Sequence, residues 1–158
     1  LIPGVPLKIA FPHLEACLLD SLKKRVNFLE ETFALLKLEN ITAIHGRAEE
    51  FAKNKAYREQ YDLCVSRAVS NLATLSEYCL PYVKVGGNFI SYKSGTVQEE
   101  LQQAEKAVKI LGGKIQDVVY FNLPDSEIQR SLVVIEKMKP TPGRYPRKAG
   151  TPLKEPLS

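Results

Sequence analysis

The sequence predicts an α/β fold built on a mixed, mostly parallel sheet, and three observations lead to this prediction. Short apolar runs typical of strands alternate along the chain with amphipathic helical segments, as in a parallel sheet covered by helices. The segments 114–123 and 131–138 have strand patterns with no helix between them, so we expect an antiparallel hairpin at one sheet edge. The chain has 158 residues, 44% hydrophobic and 25% charged, which is the composition of one globular domain.

The individual elements follow from local patterns. The apolar run LEACLLD (14–20) predicts a strand, and the next segment (21–38) has apolar residues three and four apart, which predicts an amphipathic helix with Ser21 as its N-cap. The same criteria predict further helices in VPLKIAF (5–11), RAEEFAK (47–53), LATLSEYCLPYV (72–83, as far as Pro81) and VQEELQQAEKAVKILGG (97–113). Further strands are predicted in ITAIH (41–45), YDLCVSRAV (61–69, with a terminal turn) and NFISYK (88–93, after a break at Gly86-Gly87).

Positive charge is concentrated at the C-terminus. The net charge of the whole chain is +4: the last 22 residues carry +5 and the first 136 residues carry −1. We therefore expect a folded domain over 1–138 and a basic tail over 139–158 with an extended or irregular backbone. Such a tail favours a polyanionic partner such as nucleic acid, although charge alone equally permits a solvated tail without a partner.

Several classes of protein are disfavoured by what the sequence does not contain. No apolar run reaches the ~20 residues of a membrane span, and LIPGVPLKIAFP has no basic region typical of a secretory signal, so we expect a cytoplasmic protein. The odd number of cysteines (Cys17, Cys64 and Cys79) argues against a disulfide framework. His13 and His45 have no companion ligands at metal-binding spacing, so we predict no metal site. The absence of a phosphate-binding G-x-x-x-x-G-K motif disfavours a P-loop enzyme.

Candidate binding residues lie where predicted strands end, because ligands of parallel sheets bind outside the carboxyl ends of the strands. Asp20 ends the first strand and could accept hydrogen bonds from ribose hydroxyls, or it could cap the following helix. Ala48 and Glu49 could border an adenine ring or simply begin a helix. Arg67 needs a carboxylate, a phosphate or a structural ion pair as its partner.

Six segments, PGVPLKIAFP, LLDSLKKRVNFLE, LKLENI, RAEEF, SRAV and RYPRKAGTP, together resemble the bacterial small-subunit ribosomal RNA guanine-N7 methyltransferases, once called glucose-inhibited division protein B. The resemblance covers essentially the whole chain. It implies the class I methyltransferase variant of the Rossmann sheet over residues 1–138, with S-adenosylmethionine as the cofactor. Cofactor contacts are implied at Ile2, Gly4, Asp20, Ser21, Leu22, Ala48, Glu49 and Arg67, and RNA phosphate contacts are expected at Lys93, Arg144, Arg147 and Lys148.

The resemblance also implies the reaction. Guanine N7 carries a free lone pair, so methyl transfer needs no general base, and we predict no catalytic acid or base and no metal. The expected partner is small-subunit (16S) ribosomal RNA, free or in a particle, bound by a monomer. Two alternatives stay open: a nicotinamide-dependent oxidoreductase, disfavoured because no catalytic Tyr-x-x-x-Lys is present, and a non-catalytic RNA-binding fragment.

The chain departs from the family pattern at its amino end. Family members have a strand and a D-V-G-x-G-x-G-type loop directly before the Pro3-Gly4 seen here, and that strand lies between those predicted at 14–20 and 61–66. We therefore interpret the chain as N-terminally truncated. We expect a gap or exposed strand edges at this point in the sheet, and weak cofactor binding by the 158 residues alone.

Overall fold

The computed structural model describes residues 3–67, 70–95 and 97–158, and its helices and strands alternate as the sequence predicts. The helices are α1 (Gly4–Ala10), α2 (Lys23–Leu35), α3 (Ala48–Phe51), α4 (Leu72–Cys79), α5 (Gln98–Ile110) and α6 (Thr151–Lys154). The strands are β1 (Ala16–Asp20), β2 (Ile41–His45), β3 (Tyr61–Ser66), β4 (Val83–Ser94), β5 (Gly113–Asn122) and β6 (Gln129–Lys137).

The strands form two sheets. In the first, β1 and β2 are parallel, and Asp20 lies opposite His45. The second has the order β3-β4-β6-β5, in which β3 and β4 are parallel while β6 is antiparallel to both of its neighbours. The predicted mixed sheet with an antiparallel hairpin at one edge is therefore confirmed.

The sheet is interrupted between β1 and β3. In the part of the chain that the structure describes, β1 pairs only with β2 and β3 does not pair with β1. Burial, together with the neighbouring Cys17 thiol, raises the pKa of Tyr61, so the Cys17 side chain near the start of β1 lies close to the Tyr61 side chain at the start of β3. The interruption expected between these two strands is confirmed.

Each half of the fold has its own apolar core. The helices α4 and α5 cover one face of the larger sheet, where Phe89, Val133 and Ile135 are fully buried. Burying each such side chain contributes about 1.5–3 kcal/mol. The smaller core joins α1 and α2 to the first sheet through Val5, Leu29, Phe33 and Ile41. These two cores hold the strand ends of each sheet in place.

One predicted boundary is wrong, because β4 does not begin after Gly86-Gly87 but runs through both residues. Gly86 has a φ of 90°, and the register against β3 shifts between Tyr61 and Leu63. At Gly87 an added Cβ would lie 2.6 Å from the carbonyl oxygen of Asp62. The two glycines therefore permit an irregularity and a close backbone approach inside a strand.

The C-terminal segment 139–158 packs against the rest of the fold. Its residues 139–150 form neither helix nor strand, as expected. The irregular backbone expected for the rest of the tail is wrong at α6 (Thr151–Lys154), where Pro152 suits the first turn of a helix. The Arg58 guanidinium donates hydrogen bonds to the carbonyl oxygens of Thr141, Pro142 and Tyr145 at 2.9, 3.2 and 2.8 Å. The Tyr145 side chain belongs to the larger core. The segment is thus a bound part of the domain surface.

Candidate functional site

The carboxyl ends of β1 and β2 place Asp20 beside His45. The Oδ1 atom of Asp20 accepts a hydrogen bond from the backbone N–H of Leu22 at 2.9 Å, while Oδ2 lies 3.6 Å from Nη1 of Arg25, beyond ordinary hydrogen-bond distance. A carboxylate offers about four acceptor positions. Asp20 therefore fixes its own turn and keeps acceptors for a ligand hydroxyl, and its side chain is 19% exposed.

The turn after β1 differs from the prediction. Leu22, not Ser21, is the N-cap residue of α2, and neither side chain caps the helix. The Asp20 carboxylate instead accepts from the backbone N–H of Leu22, immediately before the helix begins. The His45 ring nitrogen Nε2 lies 3.1 Å from the Ser21 carbonyl oxygen, so it donates in the tautomer protonated at Nε2. Ser21 and Leu22 are exposed next to the Asp20 carboxylate.

Gly4 lies in the first turn of α1, against β1. A Cβ added there would lie 2.9 Å from the Leu18 side chain, so the absence of a side chain lets the helix approach the strand closely. Ile2, the other residue implied at this end of the site, lies outside the described residues.

Ala48 and Glu49 form the first turn of α3 and are held by two hydrogen bonds. The Tyr82 hydroxyl donates to the Ala48 carbonyl oxygen at 2.6 Å, and the backbone N–H of Gly150 donates to Oε1 of Glu49 at 3.0 Å. The Glu49 side chain is thereby directed toward the C-terminal segment, and the residue is only 4% exposed. This turn can offer a ligand the Ala48 methyl group and the backbone N–H groups of Ala48 and Glu49, which precede the first N–H that bonds within the helix, that of Glu50.

Arg67 and Lys93 lie at the carboxyl ends of β3 and β4 but differ in availability. Arg67 is exposed one residue beyond β3. Lys93 has a side chain only 10% exposed, with its Nζ donating to the Ser70 carbonyl oxygen at 2.8 Å and lying 2.7 Å from Oε1 of Glu100. Because both interactions use the ammonium group internally, this geometry argues against the expected contact of Lys93 with a phosphate.

Arg147 forms an internal ion pair with the fully buried Glu77 carboxylate on α4. Its backbone N–H and Nε donate to Oε1 of Glu77 at 2.8 and 3.0 Å, and its Nη2 donates to Oε2 at 2.8 Å. These side-chain hydrogen bonds raise the pKa of Arg147. The expectation that Arg147 contacts RNA therefore conflicts with its position, because a buried carboxylate left without its partner is costly.

Arg144 and Lys148 remain exposed on either side of this ion pair. The Arg144 guanidinium lies 5.1 Å from the centre of the Tyr145 ring, which orients the side chain without consuming its charge. Of the four expected RNA contacts, these two are accessible to a phosphate.

Within residues 3–67, 70–95 and 97–158, no cluster of three or more His, Cys, Asp or Glu side chains is arranged to hold a metal ion. None of the described helices is both long and apolar enough to cross a membrane.

Comparison with known proteins identifies the relatives of this chain. The model of the rRNA small subunit methyltransferase G family matches residues 2–133. The chain belongs to this methyltransferase G family. A relative of that name from Lachnoclostridium phytofermentans is 57% identical over 155 residues, which are 98% of this chain and 64% of the relative. Another from Alkaliphilus oremlandii is 56% identical, over 98% of this chain and 65% of the relative. The chain thus spans slightly less than two thirds of these relatives' length.

Solved structures establish the fold as that of class I methyltransferases. The apo form of the S-adenosylmethionine-dependent methyltransferase SibL matches with a TM-score of 0.62 at 15% identity, covering 87% of this chain and 48% of SibL. TYW2 from M. jannaschii, solved in complex with AdoMet, matches with a TM-score of 0.63 at 13% identity, covering 85% of this chain and 63% of TYW2. In open α/β sheets ligands bind outside the carboxyl ends of the strands, the positions that Asp20 and Arg67 occupy at β1 and β3 of this chain.

Other residues that shape the site of this methyltransferase G family member were not found from the sequence. His45 could have been identified, since it ends the strand next to that of Asp20. Glu77 could also have been identified, because a carboxylate in the apolar helix LATLSEYC requires a cationic partner. Tyr82 and Arg58 act on backbone oxygens distant in sequence, for which a single sequence gives no signal.

Proposed function

We propose that this protein transfers a methyl group from S-adenosylmethionine to N7 of a guanine in small-subunit (16S) ribosomal RNA. Membership of the methyltransferase G family supports the RNA substrate, and the class I fold supports the cofactor. One observation carries the proposal: the Asp20 carboxylate ends a parallel strand with acceptor positions unused and partly exposed.

The residues present at the carboxyl ends of the strands fit this cofactor. Asp20 has acceptors for the two ribose hydroxyls, and the α3 turn has a small side chain and backbone donors beside an adenine ring. Arg67 is exposed at the end of β3, where it can pair with a cofactor carboxyl group or an RNA phosphate. The proposed cofactor-binding set is Ile2, Gly4, Asp20, Ser21, Leu22, Ala48, Glu49 (through its backbone) and Arg67.

The main task of the side chains in this reaction is to position the reactants. When bound, S-adenosylmethionine supplies a methyl group on a positively charged sulfur. Guanine N7 has an in-plane lone pair and no proton to lose, so the protein needs no general base. Its residues hold the two reactants in line and exclude water, and such positioning can supply about 7–11 kcal/mol of the barrier reduction.

The RNA substrate must present its target guanine outside regular A-form helix. N7 faces the deep, narrow major groove, which side chains reach poorly, so we propose that the base lies in a loop or is turned out of its stack. Arg144 and Lys148 are proposed to contact phosphates. We propose that the protein acts as a monomer in the cytoplasm, on free RNA or an assembled particle.

The product of the reaction tests the proposal. A chimera in which this chain replaces the matching 155 residues of the Lachnoclostridium phytofermentans relative should methylate small-subunit RNA. Nuclease digestion and mass spectrometry should then detect 7-methylguanosine that is absent from a reaction without cofactor. Methylation of another base or another atom would contradict the proposed specificity, and the absence of any methyl transfer by a folded chimera would contradict the activity.

A second candidate function, RNA binding without methyl transfer, applies to the 158 residues alone. It is favoured by the interruption between β1 and β3, because the crevice that holds the cofactor then lacks a continuous sheet beneath it. We expect the chain alone to bind S-adenosylmethionine weakly, and micromolar affinity measured by calorimetry would contradict this.

A further inference from the structure

Two segments distant in sequence lie side by side on the surface: residues 47–55, which contain α3, and the C-terminal residues 144–150. Arg58 joins them, because its Nη1 donates to the carbonyl oxygens of Ala52 at 3.2 Å and of Tyr145 at 2.8 Å. Because one nitrogen atom donates hydrogen bonds to both carbonyl oxygens, the backbones at Ala52 and Tyr145 must be neighbours.

A second link fixes the other ends of these segments. The backbone N–H of Gly150, in the C-terminal segment, donates to Oε1 of Glu49, and Glu49 is buried. The two links lie at different points along both segments, so the segments are aligned along their length. The two segments therefore run in opposite directions, with Arg144 next to Tyr145 at the Ala52 end and Lys148 between the two links.

Both of the aligned segments expose cations. Arg47, Lys53 and Lys55 are exposed on the first segment, and Arg144 and Lys148 on the second. We call these five residues the basic patch. Glu50 is the exposed acid in the two segments, since Glu49 is buried against Gly150 and the 144–150 segment has no acid. The patch therefore carries a strong excess of positive charge.

We propose that the basic patch is a single binding surface for the phosphate backbone of RNA, formed jointly by residues 47–55 and the C-terminal segment. This proposal rests on the proposed function, in which RNA is the polyanionic substrate. It adds Arg47, Lys53 and Lys55 to the expected phosphate contacts. Four other cations are excluded by geometry. The charged group of each donates hydrogen bonds to carbonyl oxygens or carboxylates of the protein itself; these cations are Lys93, Lys137, Arg58 and Arg147.

The patch is suited to positioning RNA rather than to reading its sequence. Its charged groups come from flexible side chains on backbones held rigidly by Arg58 and Glu49. Contacts of this kind attract phosphates and carry no base specificity. The α3 turn that is proposed to border the adenine lies within the same segment, so RNA bound here would run beside the cofactor site.

The salt dependence of RNA binding tests the patch. The 158-residue chain would be titrated into a fluorescein-labelled 20-nucleotide RNA hairpin, and anisotropy would be followed between about 20 and 200 mM salt. The variant Lys53→Ala/Lys55→Ala should lower the slope of log K against log salt by about 1.5 and weaken binding about tenfold at moderate salt, since each phosphate contact contributes about 0.7–0.9 to the slope. The matched control Lys106→Ala/Lys109→Ala removes the same charge from exposed positions of α5.

Each outcome decides the proposal. A lower slope for the patch variant with an unchanged slope for the control supports it. Equal slopes for both variants, no RNA binding by the wild-type chain at low salt, or patch-dependent binding to phosphatidylglycerol vesicles but not to RNA would overturn it. The methylation assay with the chimera is a separate readout: an unchanged slope with 7-methylguanosine still formed refutes the patch alone, and a changed slope without methylation refutes the activity alone.

Discussion

Glu77 and Arg147 show how a basic residue can serve the fold rather than a partner. Arg147 donates to both oxygens of the buried Glu77 carboxylate, and its Nη2 also donates to the carbonyl oxygen of Glu155. The ion pair therefore fastens the C-terminal segment to α4. In the sequence, RYPRKAGTP shows three cations that look alike, and only the tertiary fold distinguishes Arg147 from its neighbours.

Replacing Arg147 should destabilise the fold. The change Arg147→Ala leaves the Glu77 carboxylate buried without its partner, and we expect the free energy of unfolding to fall by about 3 kcal/mol in urea titrations. Lys148→Ala, which removes an exposed cation one residue away, should change it by less than about 0.5 kcal/mol. Equal effects of the two substitutions would show that the Glu77 ion pair does not hold the segment.

At this scale the sequence predicts positions better than roles. Asp20 is recognisable because it ends a strand, and the structure shows that it caps its turn while keeping acceptors free. Glu49 is found in the same way, but its carboxylate accepts a hydrogen bond from the backbone N–H of Gly150, which is 101 positions away, and no local pattern reveals such a contact.

At the scale of elements, periodicity predicts the long helices well. The stripe in α2 places Val26, Leu29 and Phe33 in the interior, and α5 ends just before Gly112, whose φ of 91° suits a helix stop. Gly86-Gly87 is misread as a strand boundary because the same residues that break a strand also permit an irregularity within one.

Gly87 should be the sensitive position in β4. A Cβ there would lie 2.6 Å from the Asp62 carbonyl oxygen, so Gly87→Ala must displace backbone and should lower the free energy of unfolding by about 1–3 kcal/mol. Gly143→Ala is the control, because no atom lies within 4 Å of its added Cβ, and it should be nearly neutral. Comparable losses of stability in urea titrations would contradict the close approach of β3 and β4.

At the scale of the whole molecule, strand order and its interruption could be predicted, whereas the path of the C-terminal segment could not. Alternation of strands and helices gives the parallel pairs, and the resemblance to the family indicates where the sheet is interrupted. The segment 139–158 is predicted as a separate basic tail, but Arg58, Glu49 and Glu77 bind it to the domain. All three contacts join residues far apart in sequence, so composition and charge cannot reveal them.

The affinity of the Asp20→Asn chimera for S-adenosylmethionine tests the proposed site most directly. Asparagine keeps an oxygen that can accept the Leu22 N–H, so the fold should hold, but it loses the charge that strengthens hydrogen bonds to ribose hydroxyls. Calorimetry should show binding weakened about 10- to 100-fold, since hydrogen bonds to a charged group contribute about 1.5–3 kcal/mol, with an unchanged melting temperature. Equal affinity of the variant and the unsubstituted chimera would contradict the role of Asp20.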